Sequence, residues 1–353
     1  PKRSNTAFVG SSFKSATLCR NGGREERLPC RLMRFPEDTP GSTVRLHAGY
    51  GRAYTPGMIE SCLDDLEARL DVDEETRLRQ EWRAFAGGEL DRGIFEPRRC
   101  RCAAPRMEWH RPPVNETLND FDAMALQQLH GCSAALAGGT GAILNVRSNY
   151  GTGILPSLFG CRLHVMGTAL DTLPTVLPIE GGTSGIRKLV ARGVPDLNAG
   201  LGARVLEMGQ RFNRMFRDYP RIRRFVHIYH PDLQGPIDAC ELLWGSSLFL
   251  ALVEEPDLVR DMLGLVTETY ECFLRRWMEV VPVPDAGYSA HWGMCHRGKI
   301  MLREDSAMNL SPELIEEFVI PFDQVLLDRF GGGAVHFCGR GDHFIELVAG
   351  MRG

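Results

Sequence analysis

Lysine is scarce in this chain of 353 residues: Lys2, Lys14, Lys188 and Lys299 are the only four, against 37 arginines. Only Lys188 and Lys299 fall inside the body of the chain, which argues against Schiff-base chemistry on a lysine. No run of 18 apolar residues occurs, and Pro1-Lys2-Arg3-Ser4-Asn5 has no apolar segment behind it. Neither a membrane span nor a secretory signal is therefore expected. A formal net charge of −4 leaves no basic surplus, which excludes the electrostatic footprint of a nucleic-acid binder. Internal repeats and low-complexity tracts are absent. The eleven cysteines are odd in number and irregularly spaced, a pattern that predicts reduced thiols in a cytoplasmic protein. What remains, 43% apolar and 24% charged residues, is a globular composition with enough apolar mass for one sizeable core.

Residues 1–27 read as a polar N-terminal arm, and residues 28–353 as a single domain. Within it, residues 35–140 form a long insertion of Gly, Pro and charge. The spacing of Leu and charged residues from Met58 to Phe85 predicts a solvated helix or helix pair there. From residue 140 short apolar runs alternate with helical segments. Strands are expected at Leu28–Met33 and, in this part, at Ala142–Arg147, Thr175–Ile179, Phe225–Tyr229, between Gly287 and Leu302, and at Ala334–Cys338. Helices are expected at Leu201–Phe216 and Pro256–Met278. Such alternation predicts a parallel sheet, doubly wound or closed into a (β/α)8 TIM barrel. About six strands are countable and the alternation stops in the helix after the last one. The expectation is a barrel lacking its final one or two βα units.

The chemistry concentrates between Ser311 and Glu346. Ser311-Pro312-Glu313 is a helix start, Pro321 is expected to kink that helix, and Gly331-Gly332-Gly333 ends it. The strand that follows places His336 and Cys338 on one face, because residues i and i+2 of a strand point the same way. Both lie at its carboxyl end, where α/β enzymes build their sites. An imidazole and a thiolate so placed suit Zn²⁺. Other polar groups at strand ends are candidates for the same pocket: Asn149 and Tyr150, His230 and Asp232, and His343, whose neighbour Asp342 reads as a helix N-cap. Cys100 and Cys102, like His291, Cys295 and His296, have a metal-site composition without metal-site spacing.

Several segments resemble the uroporphyrinogen decarboxylase superfamily. They are Gln234-Gly235-Pro236-Ile237-Asp238 through Gly245, Glu255-Pro256-Asp257-Leu258-Val259, Leu310-Ser311-Pro312-Glu313 through Phe322, and Val335-His336-Phe337-Cys338-Gly339. The likeness runs over roughly residues 140 to 350 and implies a (β/α)8 barrel. It departs from the true decarboxylases, which use arginines and one aspartate on a tetrapyrrole without any cofactor. Only Arg31 and Arg34 echo the arginine motif, Asn145-Val146-Arg147-Ser148-Asn149-Tyr150 stands where the aspartate belongs, and Leu242 and Leu243 stand near the expected tyrosine. The methyltransferase branch, by contrast, carries the His-x-Cys pair as zinc ligands. The resemblance therefore implies zinc-dependent methyl transfer between a corrinoid and a small thiol, with a corrinoid protein as an eventual partner. Glu304 and Asp305, ending the preceding strand, are candidates to complete the site. Cofactor-free decarboxylation of a tetrapyrrole is the alternative activity, and a corrinoid- or porphyrin-binding barrel without turnover is a third.

Overall fold

The computed structural model describes residues 57–90, 94–283 and 287–353, all within one compact unit. The predicted arm and the first strand candidate, Leu28–Met33, lie outside the described residues. The charged stretch after Gly57 forms a helix pair, Met58–Arg69 and Val72–Ala86. Asp71 starts the second helix by accepting the Asp73 and Glu74 backbone N–H groups (3.0 and 3.1 Å), with Asp73, Glu74 and Glu75 at the positive end of the helix dipole. A third long helix, Phe121–Ala137, lies in the segment read as Gly, Pro and charge. Ala123, Met124, Ala125, Leu126, Leu129, Cys132 and Leu136 are all buried, so this helix is apolar over most of its circumference and shows no amphipathic stripe. It packs into the same core as Tyr150, Phe212, Phe273 and Trp277.

Eight short strands occur among the described residues, in four pairs. β1 (Asn145–Val146) runs parallel to β4 (His227–Ile228), and β7 (Ile300–Arg303) parallel to β8 (Gly333–His336). The predicted strand Thr175–Ile179 is not part of a parallel sheet. It is β3 (Thr175–Leu177), one arm of an antiparallel pair with β2 (Arg162–His164). The stretch expected to hold one strand between Gly287 and Leu302 holds three: the hairpin β5 (Tyr288–His291) and β6 (Met294–Arg297), then β7. Trp292 and Gly293 make its tight turn at φ 48° and 82°, the positive values that a two-residue hairpin loop demands. Beyond the strand ladders, the His230 Nε2 accepts the Met301 N–H (3.0 Å) and the Gly235 N–H donates to the Arg303 carbonyl (2.9 Å). The carboxyl end of β4 is thereby held beside β7.

The long helix, Pro256–Val280, buries Leu258, Val259, Met262, Leu263, Val266, Tyr270, Phe273, Leu274 and Trp277 at i, i+3 and i+4 spacing. Each such side chain contributes about 1.5–3 kcal/mol of burial. At Pro321 the helix after Ser311 is broken rather than kinked. Val319, its φ stretched to −113° within the right-handed region, separates Pro312–Phe318 from Ile320–Phe330. Proline supplies no N–H to continue the ladder and begins the second helix instead. No single helix among the described residues is long and apolar enough to cross a membrane.

Candidate metal centre

β8 delivers His336 at its last position, Phe337 turns into the core, and Cys338 emerges on the exposed side. The His336 Nε2 lies 3.4 Å from the Cys338 Sγ and 3.7 Å from the Asp305 Oδ1. Among the described residues, Asp305, His336 and Cys338 form the one group of three metal-ligating side chains, with all three donor atoms within 4.8 Å of one another. Tetrahedral zinc with its usual bond lengths separates its ligands by roughly 3.3–3.8 Å. One nitrogen, one sulfur and one oxygen at this spacing fit that ion with small side-chain adjustments.

Each donor is held by structure around it. The Asp305 Oδ1 accepts the Cys338 N–H (2.7 Å), tying the turn after β7 to the end of β8. Asp238, in the first turn of helix Pro236–Trp244, accepts the backbone N–H groups of Asp305 (2.9 Å) and Ser306 (2.6 Å), and the Gln234 amide donates to it as well (3.0 Å). The Trp292 ring meets His336 edge-on at 4.7 Å, and the Arg303 guanidinium lies over the Trp292 ring, 4.7 Å from its centre. Burial lowers the His336 pKa, against the opposing pull of Asp305, so the imidazole is neutral with a lone pair to offer. Burial, reinforced by Asp305, pushes the Cys338 thiol up to about 11. A bound cation reverses that preference, since coordination deprotonates a thiol.

The other predicted site residues are placed elsewhere. Glu304 precedes Asp305 but turns inward, 1% exposed, against Asp323 and Asp238. The opening it occupies exists because residue 235 is glycine: a Cβ there would lie 1.7 Å from the Glu304 Oε1. His343 donates from Nε2 to the Leu310 carbonyl (3.1 Å), outside the triad. Asp342 is not an N-cap; it pairs with Arg340, and Phe344 precedes the last helix. Tyr150 is fully buried in the main core and Asn149, its chain neighbour, is buried too; neither belongs to the triad. His230 is used at both nitrogens, accepting from Met301 and donating from Nδ1 to the Pro231 carbonyl (2.8 Å). Asp232 is a buried counter-ion bonded to Arg147 and 2.6 Å from Arg303. His291 and His296, which no strand or helix spacing brings together, meet through the hairpin turn: the His296 Nδ1 donates to the Arg297 carbonyl, and its Nε2 accepts from the His291 Nδ1 at 2.7 Å. They bond to each other rather than flank an ion.

The sequence reading missed Asp238 and Trp292. An acid in the first turn of the otherwise apolar helix Pro236–Trp244 is the signal that marks Asp238; nothing in the sequence marks Trp292.

The inward acids also predict a pH dependence. Burial raises Asp238 and Asp323 to about 7 and Glu304 well above its ordinary value. A carboxyl raised on folding contributes stability that is complete below its unfolded pKa and lost as pH rises through the folded one. Half-buried His227 and buried His230, His291 and His296 are depressed, so they act oppositely, an effect that fades as pH rises past the unfolded histidine value of about 6.5. Unfolding free energy is therefore expected to fall from about pH 7 to 8, by at most about 1.4 kcal/mol per pH unit for each proton still held. Urea titrations of wild type and Glu304→Gln check this: the variant should show the flatter slope, and equal slopes would refute the assignment.

No protein-family model matches the chain, and no curated protein matches it. A solved structure does. A methyltransferase from Methanosarcina mazei shares the fold over 74% of this chain and 70% of its own, with a TM-score of 0.50 and 18% sequence identity. At that identity the likeness is one of fold.

Proposed function

We propose that this protein is a zinc-dependent methyltransferase on a (β/α)8 barrel, moving a methyl group between a corrinoid and a small thiol. The observation that carries the reading is the N, S and O donor triad of His336, Cys338 and Asp305 at the carboxyl end of a parallel strand pair. Support comes from the fold shared with the Methanosarcina mazei methyltransferase. The two parallel pairs, β1–β4 and β7–β8, held side by side at His230 and Gly235, support the barrel reading.

Zinc bound there supplies Lewis acidity that keeps a substrate thiol as its thiolate near neutral pH. The residues of the chain do the rest. His336 offers Nε2 as a neutral donor, its ring set by Trp292. Cys338 gives up its proton to solvent on its exposed side. Asp305 contributes a carboxylate oxygen from a turn that Asp238 holds rigid. Because Cys338 is exposed and Asp305 half-buried, the open side of the triad faces solvent, and both thiol and corrinoid approach from there. A carrier protein for the corrinoid fits the same open side.

The test is metal analysis of the purified protein, followed by incubation with methylcobalamin and 2-mercaptoethanol. One zinc per chain and zinc-dependent loss of the methyl–cobalt absorbance, with thioether formed, are expected. Bound zinc without transfer to thiols would remove the reaction and leave the metal centre. Failure to bind zinc would remove both.

A further inference from the structure

Buried oxygens without a hydrogen-bond donor gather around the carboxyl end of β7. They are both oxygens of Glu304, the Asp323 Oδ1, the Gln234 Oε1 and the Tyr270 hydroxyl. Glu304 and Asp323 are each 1% exposed, Gln234 5% and Tyr270 not at all, so bulk water reaches none of them. Asp323, in the first turn of helix Ile320–Phe330, stands close enough to Glu304 for the two carboxyls to share a proton. The Asp238 N–H acts on Glu304 without reaching hydrogen-bonding geometry. Gln234 turns its amide nitrogen to Asp238 (3.0 Å), which leaves its oxygen free. The charges that bear on the Tyr270 hydroxyl are those of Arg303, Asp323, Glu304 and Asp232. Among the described residues no basic side chain forms an ion pair with Glu304, Asp323 or Asp238. Arg303 and Arg147 are both committed to Asp232, so four carboxyls here stand against two guanidiniums.

We propose that Glu304, Asp323, Gln234 and Tyr270 bind a hard divalent cation of the calcium or magnesium kind. Buried polar atoms are almost always paired, so several orphaned oxygens in one place mark a missing partner. Water would supply hydrogen bonds but no charge, and two neighbouring carboxylates in the interior need a positive one. A proton shared between Glu304 and Asp323 would satisfy those two alone. It would leave the Gln234 oxygen and the Tyr270 hydroxyl unpaired, whereas one ion is met by all four. Carboxylates and an amide carbonyl are the ligands that calcium and magnesium take, with water completing the shell. Nitrogen and sulfur are absent from the set, which separates it from the triad and from the softer ions that the triad suits. The site is independent of the proposed methyl transfer and stands or falls without it.

Calorimetric titration of chelator-stripped protein with calcium chloride and magnesium chloride, against sodium chloride of equal ionic strength, tests the proposal. At least one of the two divalent ions is expected to bind wild type in a single equivalent and to raise its melting temperature beyond the sodium control. Asp323→Asn and Glu304→Gln should each weaken binding about tenfold or more. Without the ion both should melt at or above the wild-type temperature, because each relieves a buried pair of like charges, so the lost binding is not lost folding. Tyr270→Phe keeps both carboxylates and should weaken binding less. It decides the matter if the acid variants fail to fold, unchanged binding there counting against the site. Cys338→Ser should bind the ion as wild type does. Binding of neither divalent ion, binding undiminished in both acid variants, or binding lost in Cys338→Ser would overturn the site. The full melting shift in sodium chloride alone would overturn the divalent assignment.

Discussion

Replacing Cys338 with serine is expected to weaken zinc binding by more than about a hundredfold, measured by competition with a chromophoric chelator. The thiolate is the softest and most strongly bonded donor of the triad, and a serine hydroxyl is neither deprotonated nor polarisable enough to take its place. His336→Ala should act similarly by removing the neutral nitrogen. Asp238→Asn makes the instructive comparison: it offers no ligand, but it fixes the turn of Asp305 through two backbone bonds of 2.9 and 2.6 Å. A loss of about ten- to a hundredfold is expected there, the usual cost of disturbing the groups behind a ligand. Unchanged affinity in Cys338→Ser would show that zinc, if bound, sits elsewhere.

Asp232→Ala is expected to destabilise the fold by about 3–5 kcal/mol in urea denaturation, the largest single stability effect anticipated here. Asp232 neutralises two guanidiniums at once, those of Arg147 and Arg303, and Arg303 itself is 3% exposed. Removing the carboxylate strands both charges in the interior. The Asp342 pair with Arg340 serves as the control. Both side chains are mostly in solvent, so Asp342→Ala should leave the urea midpoint unchanged within error. A small effect of Asp232→Ala would mean that the arginines find other acceptors.

How much of this was legible beforehand follows from which physics acts locally. His336 and Cys338 were readable because strand pleat alone puts i and i+2 together. Asp305 was readable only as one of two neighbouring acids. The choice between it and Glu304 is made by packing, through the space over Gly235, and no spacing rule reports that. Tyr150, Asn149 and His230 were read as pocket residues because they follow strands. The strands proved shorter than their apolar runs, so Tyr150 continues into the core instead of opening on a cleft. The His291–His296 contact was hidden because it depends on a turn with a non-glycine residue at positive φ. Helix Phe121–Ala137 was hidden for the opposite reason: burial on nearly every side erases the periodicity by which helices announce themselves. The helix pair Met58–Ala86, one face wet and one dry, kept it.

Gly235 has a consequence for anyone wishing to alter this protein. One methyl group there would need the Glu304 carboxyl to retreat by more than an ångström, and Glu304 is the immediate chain neighbour of Asp305. The tight tolerance behind the triad thus belongs to a residue with no side chain at all, and mutational libraries aimed at the ligands would do well to leave that hydrogen atom where it is.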